Sequence, residues 1–311
     1  LKRKGIPLNG WLALDKPAGM TSTQALGAAR RILGAAKAGH GGTLDPLATG
    51  ILPLAFGEAT KTVAYVMDAA KRYRFTIKWG EQTSTDDREG QVIATSPVRP
   101  SPEHIKAALP SFVGRIMQTP PAYSAIKVDG ERAYDLARAG EVVELAAREV
   151  EINEFTLIQL DDSDHATFEV ACGKGTYVRS LARDLAVKLG TVGHLTALRR
   201  LKVGRFTEEN AISLDSLTQK VQNTPAAQLL LPIETALDDI PALSLTEQEA
   251  QWLRLGRRIS LLQFTGRERL LALPEPARHG HCPVVALYAG KTVALGEVVA
   301  GEFRAVRVLN Q

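Results

Sequence analysis

Residues 39 to 50 read GHGGTLDPLATG, with one carboxylate, one imidazole and four glycines in twelve positions. Glycines crowded around a lone acid mark backbone that takes positive φ or lets another molecule come close. Pro46 biases Asp45 towards extended backbone, which puts the acid on a loop and not inside a helix. An aspartate is ionised at neutral pH without assistance. Held beside an opened-up substrate, such a carboxylate can act as a nucleophile or stabilise a positively charged sugar in the transition state. Glycosidases generally use two acids for this, and Asp15 is the only other one before Glu58. Taken alone, the string also fits a surface Asp-Pro turn.

Other chemistries find less support. Gly173-Lys174-Gly175-Thr176 lacks the upstream glycine of a phosphate-binding loop, and its lysine is not followed directly by Ser or Thr. No dinucleotide fingerprint opens a strand-to-helix turn, and no nucleophile elbow supports a Ser-His-Asp triad. His279, His281 and Cys282 cluster without a second ligand pair at metal spacing, so no metal is expected. What stands beside Asp45 is His40, a strand tyrosine (Tyr73) and an arginine at a helix start (Arg179). An arginine partner would fix the orientation of the carboxylate. Each has a plainer reading: a core aromatic for Tyr73, an ion pair with Asp184 for Arg179, a loop histidine for His40, core packing for Leu198.

The elements that must position these residues follow from periodicity. Trp11 to Leu14 reads as a strand ending at the Asp15-Lys16-Pro17-Ala18-Gly19 turn. Thr21 and Gln24 have capping-box spacing, opening a helix with Leu26, Ala29 and Leu33 on one face that closes near Gly34. Ile51 to Phe56 is a buried segment and Glu58 to Met67 a helix. Lys71 to Trp79 alternates as a strand, with Tyr73, Phe75, Ile77 and Trp79 on one face. Gln82 to Gly90 is a polar turn and Gln91 to Ala94 the returning strand. Ser101-Pro102-Glu103 starts a further helix. Thr119 to Glu144, with Pro120-Pro121, Asp129-Gly130, Lys127, Arg132 and Arg138, reads as a strand-turn-helix excursion. Val150–Leu160 and Ala166–Cys172 are two strands, and Thr176 to Leu189 a helix on which Arg179 and Arg183 share a face. Leu195 to Phe206 is a strand with one basic face. Asp238-Asp239-Ile240-Pro241 is the preferred domain boundary. Beyond it lie a second capping box at Thr246, a long stretch from Gln263 to His281, and three short strands at 284–288, 293–299 and 303–308.

At 311 residues two domains are the default. The apolar fraction of 45% with 23% charged residues fits a folded globular chain. No apolar run approaches the ~20 residues of a membrane helix. The opening LKRKGIPLNGW has no secretory hydrophobic segment, and two cysteines cannot build a disulfide framework, so a cytoplasmic setting is expected. Residues 206–250 hold eight acids and one base, a net of −7 against +4 for the whole chain, so the remainder carries +11. A body that basic suits a polyanion, nucleic acid first.

GHGGTLDPLATG, LDKPAGMTS, KRYRF and CGKGTYVRSLARDL, in this order, resemble the TruB-type tRNA pseudouridine synthases of bacteria. The likeness runs from about Gly10 to Phe206, and the tail from Leu243 is similar to a PUA-like RNA-binding domain. The resemblance implies an α+β fold: a catalytic domain over residues 1–240 on a mixed, largely antiparallel sheet flanked by helices and loops. A small β-rich PUA-like domain would follow over 241–311, with 119–144 as an inserted RNA-gripping segment. It implies isomerisation of one uridine, position 55 in the T-loop of tRNA, to pseudouridine, with no metal or organic cofactor. The partner would be the tRNA T-arm; no membrane and no obligate protein partner are expected, and the chain would be a monomer. Asp45 would be the catalytic aspartate, Tyr73 the active-site tyrosine packing on uracil, and Arg179 the arginine paired with Asp45. His40, Tyr177 and Leu198 would line the nucleotide or the gap it leaves, and Lys16 would support the active-site loop. The chain departs from many members at Thr83-Ser84-Thr85, where they carry an acid in the middle position; Asp86 and Asp87 follow.

The chemistry is consistent with these assignments. A uridine in a folded loop is reached only by flipping it out, at a cost of a few kcal/mol. A tyrosine platform returns about 1–3 kcal/mol by stacking. Two other functions share these features: an RNA-folding module with idle catalytic residues, and a guide-RNA-dependent relative of the same family.

Overall fold

A computed structural model describes residues 5–124, 127–128, 131–132 and 145–310. Of the expected excursion, 119–124 and the two-residue strands Lys127–Val128 and Glu131–Arg132 fall within these. The Asp129-Gly130 turn and the helix expected around Arg138 lie outside the described residues.

The body opens with β1 (Gly10–Lys16), α1 (Ser22–Leu33), β2 (Ala38–His40) and β3 (Thr49–Phe56). Both bonds of the Thr21–Gln24 capping box form, and Gly34 closes α1 in the left-handed region at φ 65°. The helix expected at 58–67 divides: residues Gly57–Thr62 are a 3-10 turn, and only α2 (Val63–Asp68) is α-helical. Then come β4 (Lys71–Trp79), β5 (Glu81–Thr83), β6 (Val92–Thr95), α3 (Pro102–Ala108) and β7 (Gly114–Gln118). With Lys127–Val128 and Glu131–Arg132 as β8 and β9, the series continues with β10 (Arg148–Leu160), β11 (His165–Cys172), α4 (Val178–Lys188) and β12 (Gly193–Val203). Short strands β13 (Phe206–Thr207) and β14 (Ala211–Ile212) precede α5 (Leu214–Asn223).

One sheet runs β14-β1-β3-β12-β4-β11-β10-β7, with β13 attached to β12 and β2 to β3. Only β1·β14 and β3·β12 are parallel, so the sheet is mixed and largely antiparallel, as expected. Strand alternation sends Phe75, Ile77 and Trp79 of β4 into the core. There Phe75 lies on Phe168 with ring centroids 5.6 Å apart, and Phe155 closes the cluster at 5.9 Å from Phe75. Leu181, Ala182, Leu185 and Ala186 of α4 are buried in the same core.

The chain after residue 241 forms a second sheet, ordered β15-β17-β18-β19-β16, from β15 (Ala242–Ser244), β16 (Ile259–Ser260), β17 (Val284–Tyr288), β18 (Lys291–Val299) and β19 (Glu302–Val308). Three helices accompany it: α6 (Glu247–Arg254), α7 (Phe264–Ala272) and α8 (Glu275–Arg278). The long 263–281 stretch is largely taken up by two of these, α7 and α8. This unit is small for independent folding. It shares a buried cluster with the body, in which Val285, Leu295 and Leu309 meet Trp11, Ile51 and Phe206. A polar clamp adds to this: Lys61 Nζ donates to the Val308 carbonyl, and the Asn310 amide donates to Glu58 Oε2 at 2.7 Å. Among the described residues no helix is long and apolar enough to cross a membrane.

Candidate active site

Asp45 stands on the loop between β2 and β3, outside any helix. Three local devices hold that loop. The Ser22 hydroxyl both donates to the Leu44 carbonyl (3.1 Å) and accepts from the Leu44 amide (2.8 Å). The Gly19 amide donates to the Pro46 carbonyl at 2.9 Å, so the Lys16–Gly19 turn lies directly against the Asp-Pro step. Lys16 is fully buried, and its ammonium donates to the carbonyls of Met20 (2.7 Å), Pro17 (2.8 Å) and Pro46 (3.4 Å). Burial pushes its pKa down to about 8, with the Asp45 charge opposing and Arg200 adding to the shift. An ammonium committed to three carbonyls is a brace for the loop.

Arg179, in the first turn of α4, meets the acid: its Nε lies 3.0 Å from Asp45 Oδ2. The pair is asymmetric in exposure, with 6% of the arginine side chain exposed and 36% of the aspartate. The rest of the fork is also used. Nη1 donates to the Thr85 carbonyl at 3.1 Å, Nη2 to the Tyr123 carbonyl at 2.9 Å, and Asp87 Oδ2 lies 3.7 Å from Nη1. The alternative partner Asp184 belongs instead to Arg183, which also donates to Asp86 Oδ2 at 2.8 Å. The start of α4 is fixed from β7, where buried Gln118 accepts from the Tyr177 amide (2.8 Å) and donates to its carbonyl (3.1 Å).

A cavity of about 1270 Å³ opens over the acid, lined by Asp45, Tyr73, Tyr177, Arg179, Leu198 and Arg200 among others. Five of the residues proposed from the sequence are thus brought to one place: Asp45, Tyr73, Arg179, Tyr177 and Leu198. His40 is not among the lining residues. It pairs with Leu54 on β2, and burial, helped by the Arg200 charge, lowers its pKa and favours the neutral ring. Tyr73 is half-buried on the cavity wall, its phenol pushed above the usual range by burial, with Arg200 opposing.

Three residues of the site were not read from the sequence alone. Gln82 to Gly90 looked like a plain polar turn, yet Asp86 and Asp87 are 7% and 3% exposed, and both reach arginines of α4. The second acid sought near Asp45 therefore comes from 42 residues away in the chain, through a shared arginine. Arg200 was read as part of a basic strand face. It is 1% exposed, whereas its neighbour Arg199 points outwards to Asp15 and Glu208. Strand alternation from Leu198 carried that signal, because residues two apart share a face.

Comparison with known proteins shows the family. Residues 30–178 match the family described as TruB family pseudouridylate synthase (N terminal domain), and 179–238 match the tRNA pseudouridylate synthase B C-terminal domain. The chain is 53% identical over 309 residues to tRNA pseudouridine synthase B of Rhodospirillum rubrum, covering 99% of both chains. It is 52% identical to the Caulobacter vibrioides protein of the same name, over 99% of this chain and 98% of that one. Among solved structures, a Cbf5-Nop10-Gar1 complex superposes with a TM-score of 0.74 at 23% identity, over 100% of this chain and 90% of that one, a likeness of fold. With motif order, fold and full-length identity in agreement, the chain belongs to the TruB family of pseudouridylate synthases and is an enzyme of that family.

Proposed function

We propose that this enzyme isomerises a uridine of tRNA to pseudouridine, and that the uridine is the one at position 55 of the T-loop. The observation that carries the reading is the Asp45–Arg179 pair at the edge of a cavity whose walls include Tyr73, Tyr177 and Leu198. The flipped uracil enters that cavity and stacks on Tyr73, which offsets part of the unstacking cost. Arg179 fixes Asp45 so that its carboxylate reaches the base or the sugar without a search. Asp45 acts as nucleophile, at C1′ or on the uracil ring, and the N1–C1′ bond breaks. The freed uracil turns, C5 bonds to C1′, the bond formed by Asp45 breaks and releases its carboxylate, the C5 proton leaves and N1 takes up a proton. Tyr73 is placed to take part in that proton transfer as well as in stacking. Tyr177 and Leu198 shape the walls, and His40, outside the cavity lining, serves the RNA side of the loop. Residues 1–240 form the catalytic domain, within which segment 119–144 grips the T-arm, and the β-rich unit from 241 is a PUA-like platform for the same RNA. The basic body contributes phosphate contacts, so affinity falls as salt rises.

The test is tritium release from C5-labelled uridine in a tRNA transcript with no other RNA present, with Asp45→Asn as control. Release at the control's level by the wild-type protein would refute the enzymatic reading for free tRNA. Primer-extension mapping then reads the site, and pseudouridine at a position other than 55 would refute that part.

A further inference from the structure

Arg200 is almost fully enclosed at the site, 1% exposed, and its hydrogen-bond partners are neutral. Its Nε donates to the Ile51 carbonyl at 2.7 Å, its Nη2 to Gly42 at 3.0 Å and its Nη1 to Thr43 at 3.4 Å. The guanidinium also shares the cavity wall with Tyr73, its register partner on β4, and its charge acts on the Tyr73 phenol. Burying a charge among carbonyls and a phenol is costly, and in the fold alone an apolar side chain would serve as well or better. What the guanidinium provides is a rigid fork with several donors in fixed directions. Gly42 and Thr43 are three and two residues before Asp45, and Ile51 begins the buried run that follows the loop. Register places the same residue opposite Tyr73 on β4 and opposite Gly50 on β3. One side chain therefore ties the two strands and the loop that carry the aspartate and the tyrosine. Its charge is felt by Lys16, His40 and Lys71 as well, which puts it at the centre of the loop's supports.

We propose that Arg200 is a positioning residue for the isomerisation, the link that keeps the Tyr73 hydroxyl and the Asp45 loop in one frame. The inference rests on the function proposed above. It assigns Arg200 no contact with the base: it acts through Tyr73 and through the carbonyls before Asp45.

A double-mutant cycle tests it. Single-turnover tritium release is measured for Arg200→Lys and Arg200→Met, each alone and combined with Tyr73→Phe, together with RNA affinity and melting temperature. Lysine keeps the charge but lacks the fork; methionine fills the space without either. Alone, either change is expected to slow the reaction about 100-fold, the scale of a misplacement near 1 Å. RNA affinity should stay within about threefold, since the loss is of alignment and not of binding. With Tyr73→Phe present, the same change should cost less, about tenfold, because the hydroxyl it aligned is gone and only its hold on the Asp45 loop remains to be lost. Equal losses in both backgrounds, or a loss of affinity as large as the loss of rate, would overturn the proposal. Should the methionine variant not fold, the lysine variant carries the comparison. A second readout needs no turnover: in protein with 13Cζ-labelled tyrosine, the Tyr73 resonance, identified by its absence in Tyr73→Phe, should move in Arg200→Lys. An unmoved resonance rejects the link, whereas a wild-type protein that releases no tritium rejects the function and leaves this readout to decide the link.

Discussion

Replacing Arg179 with methionine removes one cation from two carboxylates at once. Asp87 is 4% exposed at the side chain and is left without that charge; it retains the Thr85 hydroxyl at 2.6 Å and the Glu89 amide at 3.0 Å. Breaking a buried pair by removing one partner costs about 3–5 kcal/mol. Two surviving hydrogen bonds and the 3.7 Å separation put this case at the lower end, about 3 kcal/mol. Asp45, more than a third exposed, adds little to that figure because water screens it. For a chain of 311 residues 3 kcal/mol corresponds to a fall in melting temperature of about 5 °C. Activity should fall further than stability suggests, by about 100-fold or more, since Asp45 loses the contact that orients it. Arg179→Lys separates the two effects: it restores a charge, and so part of the stability, but not the fork that also serves Thr85 and Tyr123. Calorimetry and tritium release on the three proteins are the assays. A methionine variant that melts within about 2 °C of wild type and turns over within about threefold would refute the reasoning.

Gly50→Ala is expected to be severe, costing about 3 kcal/mol or more, because φ is +98° and a Cβ there would sit 2.2 Å from the Arg200 carbonyl oxygen. Low soluble yield or a collapsed melting temperature checks this, and a wild-type melting curve contradicts it. At Glu58, burial raises the carboxyl pKa, but the Lys61 hydrogen bond and the Asn310 amide outweigh it, and the net shift is downward from 4.5. The stability this provides is present above pH 4.5 and lost as pH falls through the folded value, so the C-terminal clamp should loosen in acid. Hydrogen exchange at Asn310, compared between wild type and Glu58→Gln, reads it; identical pH dependence in the two would contradict it. Cys172 is buried, and burial pushes its thiol up to about 11. Iodoacetamide at pH 8 should therefore leave it unmodified in the folded protein and alkylate it in urea, with rapid labelling of the native chain as the contrary result.

The site was partly legible because some of its parts are local. Asp45, its glycines and the proline after it are neighbours in sequence, and so are Lys16 and the turn that braces the loop. The α1 capping box, the alternation of β4 and the arginine pair on α4 also depend on near neighbours, and each formed where its spacing placed it. Boundaries moved where tertiary contacts compete with periodicity, as in the 3-10 turn at Gly57–Thr62, where Lys61 and Glu58 reach out to the C-terminal chain.

By itself the sequence determined the family, and the resemblance carried the mixed sheet with it, because motif, periodicity and cap are properties of short stretches. Only the tertiary structure decided which charges are buried and what they hold. Arg199 and Arg200 are adjacent and chemically identical, yet one faces solvent and two acids while the other is enclosed among carbonyls. Alternation from Leu198 points to Arg200 as the inward one, and the register of β12 between β3 and β4 decides it. The same holds for Asp87, which reads as one more polar residue in a turn until folding carries it to Arg179. Burial changes the energetics of a charge, and burial is a property of the assembled chain.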